Sequence, residues 1–149
     1  MVTSRLTRVV NELIDDAKTA VLATVDEKGI PRVRWITPAQ LDGYPSTLFI
    51  VSAHNFSKVV QARKNPKATI MIQTRILDKV LNCEGKLMVV ENPSIRSELL
   101  EKIGSRLHAF WKAGSAERDL VALEFTISRA ILYLPLKGSR EVLEGEEGK

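Results

Sequence analysis

Residues 20–37, "AVLATVDEKGIPRVRWIT", decide the fold. Residues 20–26, "AVLATVD", form a β-rich run, and "EKG" at 27–29 supplies a turn whose glycine tolerates positive φ. "IPRVRWIT" at 30–37 resumes as a second run. Strand, tight turn, strand predicts an antiparallel hairpin. Alternation along the second strand places Arg32, Arg34 and Ile36 on one face and Val33, Trp35 and Thr37 on the other. Two arginines on one face are costly to bury unpaired. They either pair with Asp or Glu, or one of them reaches a bound anion, for which the guanidinium fork is well shaped.

Outward from the hairpin, residues 4–18 place Leu6, Val9, Val10, Leu13, Ile14 and Ala17 at helical spacing, with Ser4 as a cap. After a loop at 41–46, "TLFIVS" (47–52) is a third strand and "KATIMIQT" (67–74) a fourth. "KVLNCEGKLMVVEN" (79–92) reads as one long strand, bent or bulged at Gly85. A helix is expected over 93–107, with Pro93 and Ser94 at its start, and a shorter amphipathic piece over 108–114. Residues 119–128 and 129–135 are expected as a final strand pair. Strands in antiparallel order with helices inserted at three places predict a mainly β, α+β architecture. It is a small Greek-key β-barrel with peripheral helices.

Between strands three and four lies "NFSKVVQARKNP", residues 55–66. It reads as a short helix capped by Ser57 and ended by Asn65 and Pro66. Lys58 has the wrong sign for a helix N-terminus, whose unpaired N–H groups attract anions. A phosphate at that terminus explains the lysine. So does a side chain extended into solvent, where the penalty is only about 0.3–1 kcal/mol.

At 149 residues the chain is expected to be one domain over 1–140, followed by an acidic tail. The net charge of +4 is uneven: residues 141–149 carry −3, leaving +7 on the remainder. The tail is expected to be disordered. Cys83 is the only cysteine, which excludes an intrachain disulfide and fits a reducing cytoplasm. No apolar run approaches the length of a membrane span, and no membrane partner is expected. His54 and His108 are isolated, with no partner at metal-ligand spacing, so no metal site is expected. Nucleophile-elbow, Walker and dinucleotide-binding motifs are absent. Aromatics are 5% of the chain and offer no stacking platform, which argues against nucleic acid as a partner.

"GIPRVRWIT", "LFIVSAHNFSKVVQARKNPKATIMI" and the long strand through "CEGKLMVVEN" together resemble the pyridoxamine 5′-phosphate oxidase-like flavoproteins. The likeness runs from about residue 5 to 135, and "FWKAG" followed by "DLVALEFTISRAILYLP" looks like the small general-stress branch. The resemblance implies a split β-barrel that binds FMN at a homodimer interface. It implies that Arg34 binds the phosphate together with Ser57 and Lys58. It also implies that Trp35, Ile36 and Thr37 line the flavin ring and ribityl chain, with further contacts from Val51, Ser52 and Trp111. The vitamin-making oxidases have a lysine where this chain has Ala39, and an Arg-Gln pair where it has Lys79 and Val80. Their C-terminal arginine motif is also missing, so vitamin B6 synthesis is not expected. The resemblance therefore implies an FMN-dependent oxidoreductase of unknown substrate. The alternative is a non-catalytic protein that holds flavin, a deazaflavin cofactor or haem.

Overall fold

Ser4 starts the first helix, its hydroxyl accepting the Thr7 N–H at 3.1 Å. In this computed structural model, which describes residues 4–53, 64–103 and 120–145, the helix α1 runs Arg5–Ala17 and ends at Lys18 in the left-handed region. Its apolar stripe of Leu6, Val10, Leu13 and Ile14 is buried in the main core. Each such side chain contributes about 1.5–3 kcal/mol.

The expected hairpin forms from β1 (Ala20–Val25) and β2 (Pro31–Ile36), in a register running from Ala20 opposite Ile36 to Val25 opposite Pro31. Its turn is built on Asp26, whose carboxylate accepts the backbone N–H groups of Lys28 and Ile30, both at 2.9 Å. Gly29 takes φ +81°, the conformation for which the turn needs a glycine.

Five more strands complete the described sheet: β3 (Thr47–Ala53), β4 (Lys67–Gln73), β5 (Val80–Val90), β6 (Leu120–Leu134) and β7 (Ser139–Glu144). The order is β2-β1-β4-β5-β6-β3, with antiparallel pairing throughout and β7 added to β6. The ends of this path meet through a bridge between Ala39, beyond β2, and Phe49 of β3, with N–H···O distances of 2.9 and 2.8 Å. This is the split barrel of the expectation. Its interior holds the main core, centred on Leu22, Ile70, Ile72, Leu81, Leu87 and Phe125.

A second cluster lies outside the barrel, where helix α2 (Pro93–Ile103) covers β3. Ile95 and Leu99 pack there on Phe49, Val51 and Ala122. Asn92 starts α2 by accepting the Ser94 N–H at 2.8 Å. The helix expected over 93–107 is described as far as Ile103.

The sheet is irregular at Gly85, as expected, but the extra residue is Ser128 of β6 and not a residue of β5. The β5–β6 register shifts between Glu84 and Gly85, and an added Cβ would stand 2.0 Å from the Thr126 carbonyl oxygen. Two expectations are corrected. Residues 119–128 and 129–135 are not a strand pair; β6 is one strand from Leu120 to Leu134. The irregularity at Ser128 is absorbed by the bulge, with Ser128 Oγ donating to the Glu84 carbonyl at 3.0 Å, so the chain never reverses. The acidic tail is not disordered at its start, because residues through Glu144 form β7. Gly138, at φ +62°, turns the chain back, and Leu143 is buried in the main core. Glu141 bonds Arg5 of α1. Residues 146–149 lie outside the described part.

Candidate ligand-binding site

The two arginines of β2 have different fates. Arg32 pairs with Asp26 in the adjoining turn, Nε to Oδ2 at 3.0 Å. That contact, behind the two backbone N–H donors, helps hold the Asp26 carboxyl below its usual range. Arg34 instead reaches across to β1, donating to Thr24 Oγ1 at 2.7 Å and to the Arg32 carbonyl at 3.3 Å. Burial, and then the neighbouring charge of Arg32, lower the Arg34 pKa. Guanidinium keeps its proton in proteins, so Arg34 is a half-buried fixed cation.

Thr24 is 2% exposed and lines a cleft of about 810 Å³. The cleft lies across β1, β4, β5 and β6, above the Gly85 bulge. Its walls are mostly apolar, from Ala23, Val25, Pro31 and Met88, with Thr69 and Thr126 as hydroxyl donors. Lys67 and Lys86, opposite each other in the β4–β5 register, add positive charge. Glu84 is the carboxylate of the lining, and Arg129 Nε holds it at 2.9 Å. An apolar cleft with few polar groups and surplus positive charge suits a flat organic anion.

The remaining sequence-predicted residues are distributed around this hairpin. Trp35 is 82% exposed on the outer sheet face, next to Val33 at 66%. Ile36 points into the main core, so any ligand contact from that position is through its backbone. Val51 lies beneath α2 and Ser52 is buried within β3. Thr37 and Val51 flank the closing bridge of Ala39 and Phe49. Ser57, Lys58 and Trp111, like His54 and His108, lie outside the described residues. The structure therefore joins Arg34 to the cleft wall. It leaves the other half of the expected phosphate cradle undescribed.

Sequence reasoning missed Thr24. Its signal was available: it is the one polar residue in "AVLATV", and the hairpin register sets it opposite Arg32, on the face that also carries Arg34. Cys83 adds no chemistry here, since burial pushes its thiol up to about 12. Among the described residues no group of His, Cys, Asp and Glu could hold a metal ion.

Residues 6–133 match the family model described as pyridoxamine 5′-phosphate oxidase. Similar solved structures include a Clostridium acetobutylicum protein related to general stress protein 26 of B. subtilis, of the pyridoxinephosphate oxidase family. It is 19% identical, with 96% of each chain covered and a TM-score of 0.73. A pyridoxamine 5′-phosphate oxidase-related, FMN-binding protein from Nostoc punctiforme is 12% identical, with 97% of this chain and 98% of that one covered and a TM-score of 0.68. HutZ, a haem storage protein from Vibrio cholerae, is 19% identical, with 95% of each chain covered and a TM-score of 0.64. No curated protein matches the chain.

Proposed function

The chain belongs to the pyridoxamine 5′-phosphate oxidase family, and on that premise we propose that it is an FMN-binding oxidoreductase. The observation that carries this reading is Arg34, hydrogen-bonded to the wall of a cleft of about 810 Å³. That volume lies within the range of roughly 300–1,000 Å³ typical of cofactor pockets. The donor set also fits the group: a fixed cation for the phosphate, threonine hydroxyls for a polyol chain, and apolar walls for a planar ring. Ser57 and Lys58 would complete the phosphate grip at the helix start expected from their sequence. When bound, the flavin would supply hydride or electron transfer at its N5. The protein's part is to bind, orient and exclude water, and no side chain need act as acid or base.

A homodimer belongs to the same proposal. Trp35, Val33 and Met88 expose 82%, 66% and 58% of their surface on the outer sheet face, as a surface covered by a second copy would. We place the protein in the cytoplasm, in keeping with a lone cysteine buried as a thiol.

The test is to incubate the purified protein with FMN, remove free ligand and record the visible spectrum. Retained flavin absorbance is expected, and its absence sinks the reading. The likeness to HutZ favours a second reading, a non-catalytic holder of haem. Hemin titration separates the two: a shifted Soret band without flavin retention selects haem. A deazaflavin cofactor would be recognised by its own absorbance in the protein as purified.

A further inference from the structure

Away from the cleft, at the far end of the barrel, two hairpin tips stand side by side. The β4–β5 turn carries Ile76, 80% exposed, and Leu77, 49% exposed; the β6–β7 turn carries Leu136, 85% exposed. Val80 at the root of one pairs with Tyr133 at the root of the other, so the tips are about 10 Å apart, two strand spacings.

The tips are held in shape. Thr74 Oγ1 bonds Asp78 Oδ1 at 2.6 Å, Thr74 N–H donates to the Lys79 carbonyl at 3.0 Å, and Leu77 sits at φ +63° with its N–H on the Thr74 carbonyl at 3.0 Å. The second tip is a short 3₁₀ turn closed by Gly138. Three large aliphatic side chains are thus presented to water on fixed turns.

Around them the charge is positive. The two turns contribute Arg75, Lys79 and Lys137 against Asp78, and the start of β7 adds Arg140 and Glu141. Helix α1 answers two of these, Asp16 meeting Arg75 at 3.5 Å and Glu12 meeting Lys79 at 2.6 Å. Between the tips and α1 lies a cleft of about 300 Å³, where Arg5, paired with Glu141, and Lys79, paired with Glu12, stand with Arg8 over a floor that includes Leu132 and Leu134.

We propose that this end of the barrel docks on an anionic membrane surface. Ile76, Leu77 and Leu136 enter the interfacial layer, and the cleft of Arg5, Arg8 and Lys79 receives a lipid phosphate. A second copy of the chain fits this end poorly, because it would set like charge against like charge. Docking of this kind needs no spanning helix, and none among the described residues is long and apolar enough to span.

Co-sedimentation of the full-length protein with vesicles is the test. One set contains phosphatidylcholine alone, the other phosphatidylcholine with phosphatidylglycerol. Binding is expected only with the anionic lipid, and it weakens as salt is added. The double variant Ile76→Ser/Leu136→Ser, and separately Lys137→Gln/Arg140→Gln, lower vesicle partition about tenfold while circular dichroism and melting temperature are retained. Absence of binding to the anionic vesicles overturns the proposal, as does binding that both variants leave unchanged. A tip variant that becomes smaller on size exclusion overturns it too, by assigning the tips to a contact between copies.

Discussion

Arg34 Nη1 donates to Thr24 Oγ1 at 2.7 Å, and that hydroxyl belongs to a side chain in the cleft wall. The arginine is therefore held in place from a neighbouring strand before any ligand arrives. Preorganised donors of this kind lose little freedom on binding.

Arg34→Gln is expected to weaken FMN binding by about 1.5–3 kcal/mol, roughly ten- to a hundredfold, with riboflavin affinity nearly unchanged. Lys58→Ala should behave the same way, because riboflavin lacks the phosphate. Titration of both ligands by flavin fluorescence checks this. Equal losses for FMN and riboflavin would mean that the residues act through folding.

Gly85→Ala should destabilise the protein by about 3 kcal/mol, toward the upper end of overpacking penalties. The added methyl would meet the Thr126 backbone oxygen at 2.0 Å, and backbone in mid-sheet has little room to retreat. Urea unfolding measures the loss. A midpoint matching wild type would show that β5 and β6 separate there at little cost.

Acid should loosen the β1–β2 turn through Asp26. The N–H groups of Ile30 and Lys28, with Arg32, hold its folded carboxyl below the usual range. A lowered folded pKa means that its contribution is present above the ordinary carboxylate range and is lost as pH falls through the lowered value. Asp26→Asn should therefore be less stable at neutral pH and show a shallower loss on acidification. Melting temperatures across that pH range, for both proteins, decide it; parallel curves would count against Asp26.

Leu143→Ala should cost about 2 kcal/mol, at the low end for leucine truncation because the site lies at the rim of the core. Leu143 is 7% exposed and packs with the main cluster. A thermal melt is sufficient. An unchanged midpoint would mean that β7 contributes nothing to stability.

The hairpin and the Gly85 bulge were legible because local chemistry dictates them. Asp26 and Gly29 make the turn, and only a glycine fits beneath Thr126. The continuity of β6 was harder to read. Residues 120–134 contain no glycine or proline, and the alternation changes phase at Ser128 and Arg129, where the bulge accommodates the extra residue without a turn. The strand at 139–144 was hidden by its charge, since Glu141 and Glu144 read as a solvated tail. The core that receives Leu143 and the Arg5 that receives Glu141 are supplied by distant parts of the chain, and β6 receives the backbone from across the Gly138 turn. The split between Arg32 and Arg34 was left open for a similar reason. Which of them takes Asp26 depends on side-chain reach across the turn, and alternation alone places both on one face.

The arrangement of β6 also dictates how the barrel can be assembled. β3 lies at one end of the strand path, and its ladder partner is β6, which follows it by some seventy residues of chain. A polypeptide emerging from its N-terminus can form the β1–β2 hairpin at once and the β4–β5 hairpin soon after. Leu48, Phe49 and Ile50 must then wait without their ladder until residues 120–126 are made. Closure through such non-local pairing is slow. During the wait β3 is an apolar edge open to other chains. Stalled or truncated synthesis before β6 should thus yield an aggregating fragment rather than a smaller barrel.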